Sequence, residues 1–177
     1  MSSFFRYFFR ALALIAIQVY LLNKVPHLHR LVVPSLYFVF VLWLPFSMSR
    51  SALLIWSFLV GLTVDYFSLT PGLHAAACVL IAYLRPYLIT LLMPREKQEF
   101  QYPEPAPRAM QWAPYSVYVL LLSFIHHFYL TFLQWLSVGS FSTFLGKAFV
   151  GTLISFLLIL TAELLLPRQQ SYRTNTA

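Results

Sequence analysis

Long apolar runs, separated by short polar breaks, make up most of this chain. Each run is bounded by prolines, charged residues or a short Ser/Gly-containing link, and a helix of about 20 apolar residues spans the hydrocarbon core of a bilayer. The pattern therefore predicts an all-α polytopic membrane protein, a six-transmembrane-helix bundle forming a single integral membrane domain over residues 1–177. The predicted helices cover about residues 8–22, 31–46, 51–69, 73–93, 114–136 and 143–166.

The two central runs, 51–69 and 73–93, predict a transmembrane helical hairpin. Between them stands the turn sequence Ser68-Leu69-Thr70-Pro71-Gly72. The run at 31–46 is the shortest of the six because Pro34 and Pro45 bracket it, and proline is tolerated near a helix start but ends or kinks a helix elsewhere.

Two segments differ from the rest in being polar. Residues 94–112 begin with four prolines and mixed charges within 94–108, a composition that favours an extended cytoplasmic linker between two halves of the protein. A docking peptide is the alternative interpretation. Residues 167–177 are predicted to be a polar, disordered tail.

The composition agrees with a membrane protein and excludes several other classes. A content of 60 % hydrophobic and 10 % charged residues leaves too little polar surface to coat a soluble domain. The 12 Lys and Arg residues outnumber the 5 Asp and Glu residues, but they flank the apolar runs instead of clustering as a nucleic-acid interface requires. Cys78 lies inside an apolar run, where a thiol packs as a small hydrophobe.

The distribution of cations predicts the orientation. Cytoplasmic loops are enriched in Lys and Arg, and most cations of this chain fall on one side if both termini are cytoplasmic. The inner side then holds Arg6, Arg10, Arg50, Arg95, Lys97, Arg108, Arg168 and Arg173, with Arg85 nearer to it, and the outer side holds Lys24, Arg30 and Lys147. The hairpin turn is therefore expected to face outward.

Charged residues inside the predicted helices are the first candidates for a specific role, because a charge near the bilayer centre costs roughly 2.5 to 3.5 kcal/mol. Asp65, His74 and Lys147 all fall near the outer ends of their helices and are expected to form one cluster, in which Asp65 favours protonated His74 and the two fix the hairpin turn. Mutual neutralisation that orders the bundle is the ordinary explanation. Arg85 and Glu163 lie toward the inner ends, where they can pair, although Arg85 could also extend alone to the interface.

The remaining polar residues carry no recognisable catalytic motif. His126 and His127 are neighbours on a helix, about 100° apart, so one of them is expected to face the bundle. His27 and His29 point apart at helical spacing, which disfavours a metal site. The common hydrolase, metalloprotease and nucleotide-binding signatures are missing from the sequence, so we expect neither enzymatic activity nor a cofactor.

The hairpin carries a specific resemblance. Its residues Gly61-Leu62-Thr63-Val64-Asp65-Tyr66-Phe67-Ser68, followed by Pro71-Gly72-Leu73-His74-Ala75, resemble the GlxxDxxs…lGlha signature of MreD, the bacterial rod-shape-determining family. The likeness extends to the chain length, the Leu-Leu-Asn ending of the first helix and the proline that opens the second. Gly72 enters the set of candidate partner-binding residues through this motif.

Membership of that family implies a non-enzymatic scaffold in the cytoplasmic membrane. Its direct partner would be MreC, and its indirect partners would be the MreB filament and the transpeptidase and glycosyltransferase of cell elongation. The family also resembles, in fold, the six-helix substrate-binding subunits of vitamin transporters. A small-molecule-binding transporter subunit, with an outward cavity near Asp65, His74 and Lys147, is therefore the alternative, and a membrane enzyme is a third hypothesis.

Overall fold

The chain is almost entirely helical where its structure is described. A computed structural model describes residues 3–22, 34–93, 102–137 and 140–165, and within these ranges all regular structure is helical, which confirms the all-α prediction. The helices are α1 (Ser3–Ala16), continued by a π-helical turn at Ile17–Leu21, α2 (Val39–Trp43), α3 (Arg50–Ser68), α4 (Leu73–Leu92), α5 (Pro107–Met110), α6 (Trp112–Ser137) and α7 (Phe141–Leu165).

Four of these helices, α3, α4, α6 and α7, are long and apolar enough to cross a membrane. The prediction of six spans is therefore not confirmed. α1 begins before the predicted start at residue 8. Residues 23–33, which follow its predicted end, lie outside the described ranges, as do residues 167–177.

The predicted span at 31–46 is the clearest correction. Its described part contains one helix of five residues, α2, while residues 34–38 and 44–46 are not α-helical, and 31–33 lie outside the described ranges. Leu44 is extended, with ψ 148°, as expected of a residue before proline, so α2 ends at Trp43, three residues before the predicted end. The larger difference is at its start, since α2 begins only at Val39.

Residues 34–44, here called the core segment, lie at the centre of the bundle. Ser35, Tyr37 to Leu42 and Leu44 are all buried. Side chains of the core segment contact three different long helices, since Tyr37 bonds to α4 and α6 and Phe40 packs near Trp56 of α3. An apolar stretch that looks like a lipid-facing helix in the sequence is instead surrounded by protein.

The segment before α6 is also corrected. Its described part, residues 102–111, is partly packed into the protein, whereas the sequence predicts a solvent-exposed linker at 94–112; residues 94–101 lie outside the described ranges. Glu104 is buried and forms a salt bridge with Arg10 of α1, with Nη1 at 2.8 and 2.7 Å from the two carboxylate oxygens. Phe46 N–H donates to the Pro103 carbonyl at 2.9 Å, which connects this segment to the residues that directly follow the core segment.

Two glycines allow the long helices to approach closely. A Cβ on Gly61 of α3 would lie 2.5 Å from Cα of Ala75 in α4, and a Cβ on Gly151 of α7 would lie 2.6 Å from the His127 ring in α6. Both distances are too short for any larger residue without a shift of its neighbour. α3 packs on α4, α4 on α6 and α6 on α7.

Candidate functional site

The hairpin tip, residues 65–74, is held by one carboxylate. Asp65 lies in the last turn of α3 and accepts the backbone N–H groups of His74 and Ala75, both at 2.9 Å, and the Thr70 hydroxyl at 3.0 Å. These amides belong to the first turn of α4, whose N–H groups have no partner within the helix, and a carboxylate is well suited to cap them. Asp65 thus joins the two helices of the hairpin at their common end.

Two residues of the tip have left-handed backbone. Gly72 caps α4 with φ 80°, a conformation open to glycine, whereas Leu69 ends α3 with φ 54° and ψ 39°. Left-handed backbone costs a residue with a Cβ about 1–2 kcal/mol. Nevertheless the Leu69 side chain is not used for packing, since it is 87 % exposed.

The His74 side chain points away from this cap and into the bundle. Its Nδ1 lies 2.7 Å from the Tyr37 hydroxyl, which in turn lies 2.7 Å from Nε2 of His126. The contact between Asp65 and His74 thus runs through the His74 main chain, while the imidazole belongs to a His–Tyr–His chain on the core segment. The expectation that the two side chains form the pair is corrected in this respect.

Both histidines of α6 are buried, whereas the sequence predicts that one faces the bundle. Phe38 of the core segment stacks on His126, with ring centroids 4.3 Å apart, and meets His127 edge to face. His127 also has α7 beside it, where Ser155 Oγ lies 3.3 Å from Nε2. Because the core segment and α7 enclose this part of α6 together, positions about 100° apart are both covered.

Polar side chains from all around the bundle satisfy the backbone of the core segment. The π-helical turn after α1 carries Gln18, which donates to the Pro34 carbonyl at 3.2 Å and accepts from the Leu36 N–H at 2.8 Å. Ser155 accepts the Ser35 N–H at 3.3 Å. Non-helical backbone at membrane depth is tolerated where protein groups satisfy it in this way.

Within the described residues Arg85 does not pair with Glu163 as predicted. Each of them bonds instead to a tyrosine of α6, and these two tyrosines lie about one turn apart. Arg85 donates from Nε to the Tyr118 hydroxyl at 3.0 Å and from Nη2 to the Leu44 carbonyl. Glu163 accepts from the Tyr115 hydroxyl at 2.7 Å, and Tyr118 itself donates to the Leu42 carbonyl at 3.0 Å. Arg85 is 2 % and Glu163 5 % exposed, so both charges lie inside the protein, and Arg85 does not extend to the interface.

Lys147 lies apart from the hairpin tip. It lines a small depression of about 30 Å³ at the junction of α6 and α7, together with Thr131, Gln134, Trp135, Ser140, Thr143 and Phe144. The structure therefore does not bring Lys147 into a cluster with Asp65 and His74. Its helix, α7, packs mainly on α6, whereas the tip is built by α3 and α4.

A much larger cavity, of about 530 Å³, lies at the opposite end of the bundle, where α5 and α6 begin and α7 ends. Its lining residues are Ala106, Pro107, Arg108, Gln111, Trp112, Glu163 and Leu164. Glu163 therefore lines this cavity and also accepts the hydrogen bond from Tyr115. In the part of the chain that the structure covers, no group of His, Cys, Asp and Glu is arranged to hold a metal ion.

Sequence reasoning missed Tyr37, Tyr115, Tyr118 and Glu104 as members of the polar interior. Tyrosine is common in membrane proteins, so its type alone gives no signal. Glu104 stands in a proline-rich stretch that predicts exposure. The proline pair around the core segment was the one available signal that this run is not an ordinary spanning helix.

Comparisons with known proteins identify no relative. No family model, no curated protein and no solved structure matches the chain. The resemblance to the MreD family therefore stays an expectation from the sequence, and the most specific part of it lies in the hairpin residues that build the Asp65 cap and the Gly72 turn.

Proposed function

We propose that this chain is a non-enzymatic membrane scaffold of the bacterial cell-elongation complex, with MreC as its direct partner and the hairpin tip as the contact surface. Through MreC it would help to direct peptidoglycan synthesis by the elongation transpeptidase and glycosyltransferase, with the MreB filament as an indirect partner. The protein would reside in the cytoplasmic membrane with both termini in the cytoplasm, as the distribution of cations suggests.

The observation that carries this proposal is the conformation and exposure of Leu69. The tip is rigid, because Asp65 accepts bonds from both α4 amides and from Thr70. Leu69 lies on this strained turn, yet its side chain is 87 % exposed and therefore adds almost no packing energy to the fold. A fixed, exposed apolar group is typical of an anchor in a protein–protein interface, where preorganisation lowers the entropy cost of binding.

Neighbouring residues extend the apolar surface at the tip. Tyr66 and Phe67 in the last turn of α3 are 78 % and 50 % exposed, and their rings meet edge to face at 5.5 Å. A single-span partner such as MreC offers an apolar helix of the kind that packs against such a surface. Aromatic residues are also frequent in interface hot spots, as well as at the boundary between lipid and water.

The alternative function, a small-molecule-binding transporter subunit, was expected to use Asp65, His74 and Lys147. The positions of these groups favour it less. The Asp65 carboxylate is engaged in capping α4, and His74 Nδ1 is engaged by Tyr37. A small molecule retained by the purified protein and a copurifying ATPase would nevertheless identify a transporter subunit.

Affinity purification of the tagged chain from its native membranes tests the proposal. We expect MreC to copurify with the original chain and with the variant Leu164→Ala, which removes an exposed apolar residue at the opposite end. Copurification should fall about tenfold or more in Leu69→Gly, since loss of a central apolar anchor typically costs about 2 kcal/mol of binding. Glycine accepts left-handed backbone, so this variant should keep or raise the melting temperature. Membranes that contain MreC but yield the chain alone would refute the assignment.

A further inference from the structure

Lys147 is a cation inside the apolar helix α7, and no described residue forms a hydrogen bond or an ion pair with its ammonium. It lies six residues after the start of α7 at Phe141, about 9 Å along the helix axis, and it is half-buried. A lysine at this depth of a spanning helix is costly unless its charge meets an anion or reaches the polar headgroups.

The described carboxylates do not compensate this charge. Asp65 caps α4, and Glu104 forms a salt bridge with Arg10. Glu163 lies sixteen residues after Lys147 on the same helix, about 24 Å away along its axis. An anion that binds beside Lys147 would supply the missing counter-charge.

The depression beside Lys147 has the size of one small chemical group. Its volume is about 30 Å³, whereas sites that enclose a whole drug-sized ligand measure about 300–1,000 Å³. It can therefore hold one charged group of a molecule whose other parts lie outside it. A soluble anion would bury little of its surface there, whereas a lipid of the surrounding bilayer is already held beside the protein.

The polar wall of the depression suits an oxyanion. Its lining residues include no carboxylate. The hydroxyls of Ser140 and Thr143 lie 2.6 Å apart and share one hydrogen bond. Each hydroxyl carries one hydrogen, so one of the two is not used between them and can be donated to a bound oxygen.

The lipid-facing surface of α6 continues from the depression toward the middle of the bundle. Trp135 lines the depression, and tryptophan is enriched at the level of lipid headgroups. Phe128 and Leu121 precede it by seven and fourteen residues, so all three share one helix face. Phe128 is 39 % and Leu121 37 % exposed, which leaves an apolar track for acyl chains below the depression.

We infer that Lys147 and the depression beside it bind the phosphate of an anionic membrane lipid, phosphatidylglycerol. The ammonium donates to the phosphate oxygens, and the Ser140–Thr143 pair supplies a further donor. Trp135 lies at the headgroup level, and the acyl chains follow Phe128 and Leu121. This site is separate from the hairpin tip, so it adds a lipid-binding role to the proposed scaffold.

The charges around the site distinguish this lipid from others. Phosphatidylcholine and phosphatidylethanolamine also offer a phosphate, but each carries an ammonium next to it. The lining residues contain no carboxylate to receive that ammonium, which would instead lie close to the Lys147 cation. The site therefore selects phosphatidylglycerol, whose headgroup has a net negative charge.

Native mass spectrometry of the delipidated full chain in detergent tests this inference. The probes are phosphatidylglycerol, phosphatidylcholine and phosphatidylethanolamine with identical acyl chains. We expect phosphatidylglycerol to bind about tenfold more tightly than the other two, since two unit charges about 4 Å apart change binding about fivefold in water and more near a protein surface. Equal binding of the three lipids, or a preference for a zwitterionic lipid, would overturn the inference.

Three variants assign the preference to Lys147. Lys147→Gln should weaken phosphatidylglycerol binding about tenfold and abolish the preference, whereas Lys147→Arg, which keeps the charge, should retain it. Arg50→Gln is the control, because Arg50 is an exposed cation near a helix start that lies outside the depression. A loss of binding in Arg50→Gln equal to that in Lys147→Gln would show unspecific charge attraction and refute the site.

Thermal unfolding separates lipid binding from a structural role of Lys147. Without lipid, Lys147→Gln should be at least as stable as the original chain, and added phosphatidylglycerol should raise the melting temperature of the original chain only. A lower melting temperature of lipid-free Lys147→Gln would show that the lysine has a partner within the chain and overturn the inference. Displacement of the lipid by an equal concentration of soluble glycerophosphoglycerol would assign the site to a free phosphodiester and overturn the lipid as its ligand.

Discussion

Arg85 donates a hydrogen bond from its guanidinium to the main-chain carbonyl of Leu44, the residue that follows α2. A buried cation of a spanning helix thus serves as a cap for the backbone of the core segment. The same guanidinium donates to the Tyr118 hydroxyl, and that hydroxyl donates to the carbonyl of Leu42, two residues before Leu44. Arginine and tyrosine together satisfy the carbonyls at the end of a short helix that is buried in the bundle.

Replacing Arg85 should therefore loosen the core segment. Arg85→Lys keeps the charge but loses the fork that serves two acceptors, so we expect the free energy of unfolding to fall by about 2 kcal/mol. The measurement is thermal or denaturant unfolding in detergent. Arg50→Lys is the control, because Arg50 is exposed and bonds only weakly, at 3.4 Å, to Tyr87. Equal stability of the two variants would show that the guanidinium does not cap the segment.

Loss of the Tyr37 hydroxyl should destabilise the protein. Tyr37→Phe removes the group that lies between His74 Nδ1 and His126 Nε2, and His126 Nδ1 already has no partner among the described residues. A buried polar group left without a partner costs about 1–3 kcal/mol, so the unfolding free energy should fall by about that amount. Tyr66→Phe, at a residue that is 78 % exposed, is the matched control. A Tyr37→Phe variant as stable as Tyr66→Phe would contradict the His–Tyr–His chain.

Asp65 should act as a helix cap and not mainly as a counter-ion of the His74 imidazole. Asp65→Ala removes the acceptor of two α4 amides and of Thr70, which should destabilise the protein by about 2 kcal/mol, and Asp65→Asn should lose less because its amide oxygen still accepts. Thr63→Ala, on the exposed face of the same helix, should change little. His74→Ala keeps the backbone amide, so the Asp65→Ala cost should persist in that background. If Asp65→Ala costs no stability in the His74→Ala background, the Asp65 and His74 side chains interact with each other and the cap is not the main role of Asp65.

Gly61 should tolerate no side chain. In Gly61→Ala the new methyl would lie 2.5 Å from Cα of Ala75, so α3 and α4 must separate, and we expect a loss of about 1–3 kcal/mol in unfolding free energy. In Gly72→Ala the new methyl would have no atom within 4 Å, so the only cost in free energy is that of placing alanine in left-handed backbone. Unfolding curves of the two variants in the same detergent provide the comparison. Gly61→Ala with the stability of the original chain would mean that the two helices are not in close contact.

The hairpin could be predicted from the sequence because its signals are local. α3 (Arg50–Ser68) and α4 (Leu73–Leu92) start and end within one residue of the predicted spans, since each is a predominantly apolar run and the turn between them contains Pro71-Gly72. An apolar run of this length favours a membrane span independently of the sequence elsewhere in the chain. The exact role of Asp65 was not predictable, because a carboxylate that caps a helix and one that pairs with histidine occupy the same position in the sequence.

The core segment could not be predicted because its stabilising groups are distant in the sequence. Its apolar composition fits a spanning helix equally well. What distinguishes it is the set of polar side chains that satisfy its backbone, which come from Gln18, Arg85, Tyr118 and Ser155. From the sequence alone Arg85 suggests a pair with Glu163, and none of the other three residues indicates a bond to this backbone. Their common target becomes visible only when the helices are assembled.

The proposed contact of the hairpin tip with MreC is tested most directly by photo-cross-linking in living cells. A photoreactive amino acid would replace Leu69 and, as a control of similar exposure at the opposite end of the bundle, Leu165. We predict a cross-linked product containing MreC from the Leu69 position and none from the Leu165 position. A product with MreC from Leu165 alone, or no MreC product from Leu69 in cells that contain MreC, would contradict the proposal.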